Sequence, residues 1–189
     1  MRPDNRANPA IRSERCAQAP CLRVRALPGS RTRGRLTFGT LDVPCALGRS
    51  GLTRRKREGD GATPMGSFAL LRAYFRADRQ PRPESNLPLR ALRPDDGWCD
   101  DAHDGRYNMH VTLPFNPSHE CLWRSDRLYD VIVVLDYNLR PRVRGGGSAI
   151  FFHVAREGFA PTEGCVAVAP DAMRRILARI GPGMTMRIG

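Results

Sequence analysis

Three short apolar runs constrain this chain more than any other feature. They are VIVVL within YDVIVVLDYN (129–138), AIFF within SAIFFHVA (148–155), and CVAVA (165–169). None approaches the roughly 20 apolar residues that a membrane helix needs. Flanked by Gly, Pro, Asn and Asp, they predict buried strands. Period-two alternation places Ala149, Phe151 and His153 on one face of the second run.

Further strands are predicted around these. CLRVRAL (21–27) alternates apolar and basic residues, and GRLTFGTLDVPCALG (34–48) reads as two strands about a tight turn at Gly39-Thr40. FALLRAYFR (68–76) fits a strand or a short helix, and MTMRI (184–188) reads as a closing strand. One helix is clear, PDAMRRILARIGPG (170–183), with a stripe of Met173, Ile176, Leu177 and Ile180 and a stop at Gly181-Pro182. Residues 57–68 must form a shaped loop, and 77–110 lack periodicity, although the pieces DGWCDD and CLWRSDRLYD argue against disorder there. Strands therefore dominate. The expected fold is mainly β with α+β additions, a sandwich or barrel-like domain with a C-terminal helix. Residues 1–20 read as a flexible basic tail and 21–189 as one domain, a size that buries a core without staples.

The charge is +12, from 31 basic and 19 acidic residues, and Lys56 is the sole lysine. A solvated basic surface explains this, and so would attraction to an acidic partner. Nucleic-acid binding is the partner reading outside enzymology. Against it, the arginines are spread throughout, with no helix-turn-helix, RNP-like or zinc-finger pattern. The six cysteines are irregularly spaced, so a disulfide framework is not expected. Cys99, His103 and His110 lie close together among Asp100, Asp101 and Asp104, a weak zinc cue that we read as a metal-free polar loop. No apolar segment opens the chain, so as written it reads as cytoplasmic. A leader hidden by a misassigned start would instead place it in the periplasm or cell wall.

The chemistry concentrates in HVAREGFAPTEGCVAV (153–168), where Cys165 follows His153 by twelve residues. A free thiol is only slightly ionised at neutral pH, and a neighbouring imidazole can take its proton and hold the sulfur as thiolate. Backbone N–H groups at a Gly-Cys turn can stabilise the oxyanion of acyl transfer. A lone Cys and His at this spacing also fit two ordinary core residues.

The PTEGCVAV after AIFFHVA resembles the signature of the YkuD-type L,D-transpeptidases. GDGATPMGSF resembles that family's upstream Thr-Pro segment, and DGWCDDAHDGRYN, LWRSDRLYD and GGGSAIFFHVAR are similar to a compact branch of it. The matches run in order from about residue 22 to 189. The resemblance implies Cys165 as nucleophile, His153 as base, the Val154 carbonyl orienting the imidazole, and the N–H groups of Gly164 and Cys165 as the oxyanion hole. Thr162 matches the Ser/Thr position of the motif. Arg156 is the candidate for holding a substrate carboxylate, and Trp98 and Tyr107 read either as core residues or as the cleft wall. Three departures stand out. Glu163 replaces a histidine, Ala167 replaces an arginine, and the His-to-Cys loop is short.

The implied reaction is attack on the L-centre–D-centre amide of a peptidoglycan tetrapeptide stem, giving a thioester and free D-alanine without metal or organic cofactor. An amine then gives a 3→3 crosslink or D-amino-acid exchange, whereas water gives L,D-carboxypeptidase activity on recycled muropeptides. A covalent carbapenem adduct on Cys165 is also implied.

Overall fold

The computed structural model describes residues 21–189, and the expected tail, 1–20, lies outside the described residues. The N-terminal third contributes β1 (Cys21–Ala26), β2 (Arg33–Phe38), β3 (Leu41–Ala46) and the two-residue strands β4 (Leu52–Thr53) and β5 (Thr63–Pro64). A ten-residue strand, β6 (Gly66–Phe75), follows. Then come β7 (Leu89–Ala91), β8 (Asp96–Cys99), β9 (Met109–Thr112) and β10 (His119–Cys121). The chain ends with β11 (Val131–Leu135), β12 (Phe151–Val154), β13 (Val166–Val168), α1 (Pro170–Leu177) and β14 (Thr185–Ile188).

Nine strands form one sheet in the order β11-β12-β13-β3-β2-β1-β14-β6-β7, and β11 also pairs with β6. That pairing closes the ladder into a barrel, and β7 runs alongside the second half of β6. Closure leaves no exposed edge on the ring. The interior holds Leu22, Val24, Leu36, Val133, Phe152 and Val166, with Met173, Ile176, Leu177 and Ile180 of the helical segment packed into the same cluster.

A three-stranded sheet, β10-β8-β9, lies over the outside of β11 and β12. Ile132, Val134 and Phe151 point outward and bury against Trp98, Leu122 and Tyr129. This second layer explains why all five residues of β11 are buried: a strand covered on both faces is hydrophobic without alternation.

Several local expectations need adjustment. The 68–76 segment is strand, since every residue from Ala73 to Phe75 pairs with β11 on one side and β7 on the other. Helix α1 ends at Leu177, because Arg179 N–H bonds Ile176 O three residues back (2.9 Å), a tightened last turn. The stripe it was expected to carry is nonetheless buried through Ile180. Residues 77–110 contain β7, β8 and the start of β9, strands too short to show a period. Regular β12 begins at Phe151, because Ala149 takes a positive φ of 51°.

No helix among the described residues is long and apolar enough to cross a membrane.

Candidate active site

β12 and β13 run parallel, with His153 opposite Ala167 and Phe152 opposite Val166. Cys165 therefore lies one residue before β13, level with Phe151, and its side chain shares the outer face with His153. The two residues are diagonal neighbours on that face. Both line a cleft of about 380 Å³ between the barrel wall and the outer layer.

The imidazole is buried, and its Nδ1 lies 2.8 Å from the Val154 carbonyl. A carbonyl only accepts, so Nδ1 carries the proton and Nε2 remains the basic nitrogen. Tyr129 packs edge-on against the ring, with centroids 5.3 Å apart. Burial is the main reason the ring's pKa falls to about 4, against the partial support of the Val154 carbonyl. The thiol is pushed the opposite way, to about 12, first by burial and next by the charge of Glu120. The Phe151 N–H and Lys56 oppose that rise. The resting pair is thus thiol and neutral imidazole, and not the ion pair that proximity alone suggests. The hydrogen bonds fit this state: Sγ–H donates to Ala149 O (3.2 Å) and Sγ accepts from Phe151 N–H (3.3 Å).

The turn before the cysteine is tightly held. Thr162 Oγ1 donates to Cys165 O (2.7 Å) and accepts from Gly164 N–H (3.2 Å). Gly164 adopts φ +133°, and a Cβ there would sit 2.8 Å from Ala62 O. Glycine is needed for this close approach. Its N–H, the expected oxyanion donor, points to the Thr162 hydroxyl. The Cys165 N–H is not engaged by another described residue. From below, Thr63 Oγ1 donates to Cys165 O (3.4 Å) and accepts from Gly48 N–H (2.8 Å). The Thr-Pro segment is therefore a floor for the Gly-Cys turn.

The remaining expected residues separate. Arg156 and Glu163 lie on the exposed cleft rim, and Glu163 pairs with Arg49 (2.8 Å). Thr162 is part of the wall, but its hydroxyl is committed to the turn. Of their two readings, the core one fits: neither Trp98 nor Tyr107 lines this cleft, although Trp98 borders a separate cavity with Tyr74 and Asn108. Trp98 is buried against Phe151 with its indole N–H on Asn108 (2.9 Å). Tyr107 is buried behind the lining, donating to Glu58 (2.5 Å) and accepting from Gly147 N–H (2.9 Å). The C-x-x-x-H cue also disperses. His110 bonds Asp96 (2.7 Å), Cys99 is buried and Asp101 caps the His103 N–H (2.8 Å).

Sequence reasoning missed Lys56, Asp100, Glu120, Arg124 and Ser148, all of which line the cleft. Lys56 is almost fully buried and bonded to Asp60 (2.5 Å). Tyr129 donates to Glu120 (2.5 Å), and burial raises the Glu120 carboxyl's pKa despite that bond. Among the described residues, two buried side-chain polar atoms have no hydrogen-bond partner, Asp100 Oδ1 and Ser148 Oγ. Each such atom ordinarily costs about 1–3 kcal/mol. Quoted motifs contain several of these residues, but only the chain's path around the barrel brings them to one cleft.

Two L,D-transpeptidase structures are similar to this chain. Mycobacterium tuberculosis L,D-transpeptidase 1 matches at 13% identity and TM-score 0.38, covering 89% of this chain and 62% of that one. An L,D-transpeptidase from Mycobacterium smegmatis matches at 14% identity and TM-score 0.39, covering 89% and 58%. This chain thus spans about three-fifths of their length. No curated protein matches the sequence. The L,D-transpeptidase catalytic domain, YkuD, matches residues 31–188, most of the chain. On that match, the chain belongs to the YkuD family of L,D-transpeptidase catalytic domains.

Proposed function

We propose that residues 21–189 act as one catalytic unit, a cysteine L,D-transpeptidase that acylates itself on a peptidoglycan tetrapeptide stem. The observation that carries this reading is the shared outer face of Cys165 and His153, with His153 Nδ1 fixed on Val154 O at 2.8 Å. Nε2 is thereby left as the proton acceptor. On substrate binding the thiol proton leaves Ala149 O for Nε2, and the sulfur attacks the carbonyl between the L and D centres. Contacts of this kind tighten in the reactive complex. The Cys165 N–H receives the developing oxyanion. Collapse expels D-alanine, which takes the proton from His153, and leaves a thioester. An amine attacking that thioester gives transfer and water gives hydrolysis. Val154 acts as a positioning residue through its carbonyl, while Arg156 and Glu163 meet the substrate's polar ends at the rim.

Incubating the protein with a disaccharide-tetrapeptide, with and without excess D-methionine, tests this by mass spectrometry. Loss of D-alanine with a D-methionine adduct is expected. Loss of D-alanine alone assigns the protein as an L,D-carboxypeptidase, and full turnover by Cys165→Ala rejects the mechanism. A carbapenem is expected to add one equivalent of mass at Cys165.

A further inference from the structure

The two unpartnered buried polar atoms, Asp100 Oδ1 and Ser148 Oγ, belong to residues that line the same cleft as the thiol. Ser148 is 7% exposed, so its hydroxyl is held in the wall without compensation from bulk water. Asp100 extends the β8–β10 ladder through its N–H to Ser118 O (3.2 Å), and Glu120 pairs with Trp98. Asp100 and Glu120 are therefore diagonal neighbours on one face, two carboxylates side by side at the cleft.

Of the three cations that line the cleft, Arg156 lies on the exposed rim, and the two deeper ones are committed elsewhere. Lys56 is bonded to Asp60 (2.5 Å). Arg124 is bonded to Asp126 (2.6 Å) and only reaches Glu120 at 3.9 Å. The Tyr107 oxygen neighbours Ser148 but gives its own proton to Glu58, so what remains among the described residues is a set of acceptors, two acidic and one hydroxyl, in which Asp100 Oδ1 and Ser148 Oγ receive no donor. A group with several N–H donors and a positive charge matches that set.

We propose that Asp100, Glu120 and Ser148 form a subsite for a primary ammonium group, and that filling it raises the reactivity of Cys165 by cancelling negative charge beside the sulfur. The proposal rests on the reading of Cys165 as the nucleophile, and it makes activation depend on a bound cation. Glu120 is the second-largest influence holding the thiol protonated, after burial. A bound ammonium would relieve that influence and would also pair the two orphaned oxygens. A substrate amine is the natural occupant, so an amine-free mimic should meet a less reactive thiol.

The test is the rate at which iodoacetamide alkylates Cys165 in the full chain, read on the tryptic peptide 157–174, whose only cysteine is Cys165. The probe is ethylammonium chloride. Tetramethylammonium chloride, which has charge but no N–H, and sodium chloride serve as controls at equal ionic strength. Ethylammonium should accelerate alkylation saturably, by up to about tenfold, the equivalent of one pKa unit. The controls should not. Glu120→Gln should react faster than the parent without probe and ignore the probe, while Asp100→Asn and Ser148→Ala should need more probe for half effect. Absent or non-saturating acceleration in the parent overturns the proposal, and so does an unchanged response in Glu120→Gln and Asp100→Asn. Alkylation at buried Cys45 and Cys99 reports any variant that fails to fold. The readout needs no peptidoglycan turnover. An ammonium-sensitive thiol in a protein that never releases D-alanine would reject the functional reading alone, and the converse would reject the subsite alone.

Discussion

The inner and outer faces of β11, β12 and β13 are built from the same short runs yet do different work. Inward, Val131, Val133, Phe152, Val154, Val166 and Val168 form a continuous apolar wall. Outward, Phe151 and Cys165 pack with Trp98 and Tyr129, and His153 is buried beside them with its ring held on the Val154 carbonyl. The inner face is satisfied by volume alone. The outer face carries titratable groups whose protonation is set by burial, at a cost that the inner face helps to offset. Stability and chemistry are thus separated by one residue of strand register.

The separation should be most sharply broken at Cys165, the proposed nucleophile. Cys165→Ala should abolish D-alanine release while leaving the melting temperature nearly unchanged, because the lost atom borders a cleft. His153→Ala should lower turnover by about 10²–10⁴-fold, the usual contribution of a positioned base. Comparable losses of stability in both variants would show the two faces to be one unit.

The inner face should respond in the opposite way. Leu177→Ala, at a fully buried core position, should cost about 2–5 kcal/mol in denaturant unfolding. Turnover well below the melting transition should be preserved.

A pH series sharpens the outer face. The unfolded chain protonates His153 near its ordinary pKa of 6.5, whereas the buried ring resists protonation down to about 4. The contribution is therefore intact above 6.5 and is lost as pH falls towards 4. Melting temperatures across that window should decline, and His153→Ala should flatten the part due to this ring. In the same series, alkylation of Cys165 in the free protein should keep rising above pH 9, since the thiol is held near 12.

The smallest effect belongs to the rim. Glu163 and Arg49 are both exposed, so Glu163→Gln should change stability by less than about 1 kcal/mol, measured by urea unfolding.

Much of the barrel was legible beforehand. The hairpin at Gly39-Thr40 has its two-residue turn, with Phe38 paired to Leu41, because glycine takes the positive φ of 57° there. The outer sheet was not legible. β8, β9 and β10 have three or four residues each, too few to show alternation, and they are stabilised by contacts distant in sequence.

The site divides the same way. By itself, the sequence determined the strand-rich class, the buried apolar runs and the Gly-Cys turn, because these follow from local periodicity and a contiguous motif, whereas the pairing of His153 with Cys165 was an expectation carried by the family resemblance. Only the tertiary structure decided that Gly164 donates its N–H to Thr162, that Trp98 and Tyr107 sit behind the cleft, and that Asp100, Glu120 and Ser148 enter it. The physical reason is that hydrogen-bond partners and electrostatic neighbours depend on distances set by barrel closure, and a linear order of residues does not contain those distances.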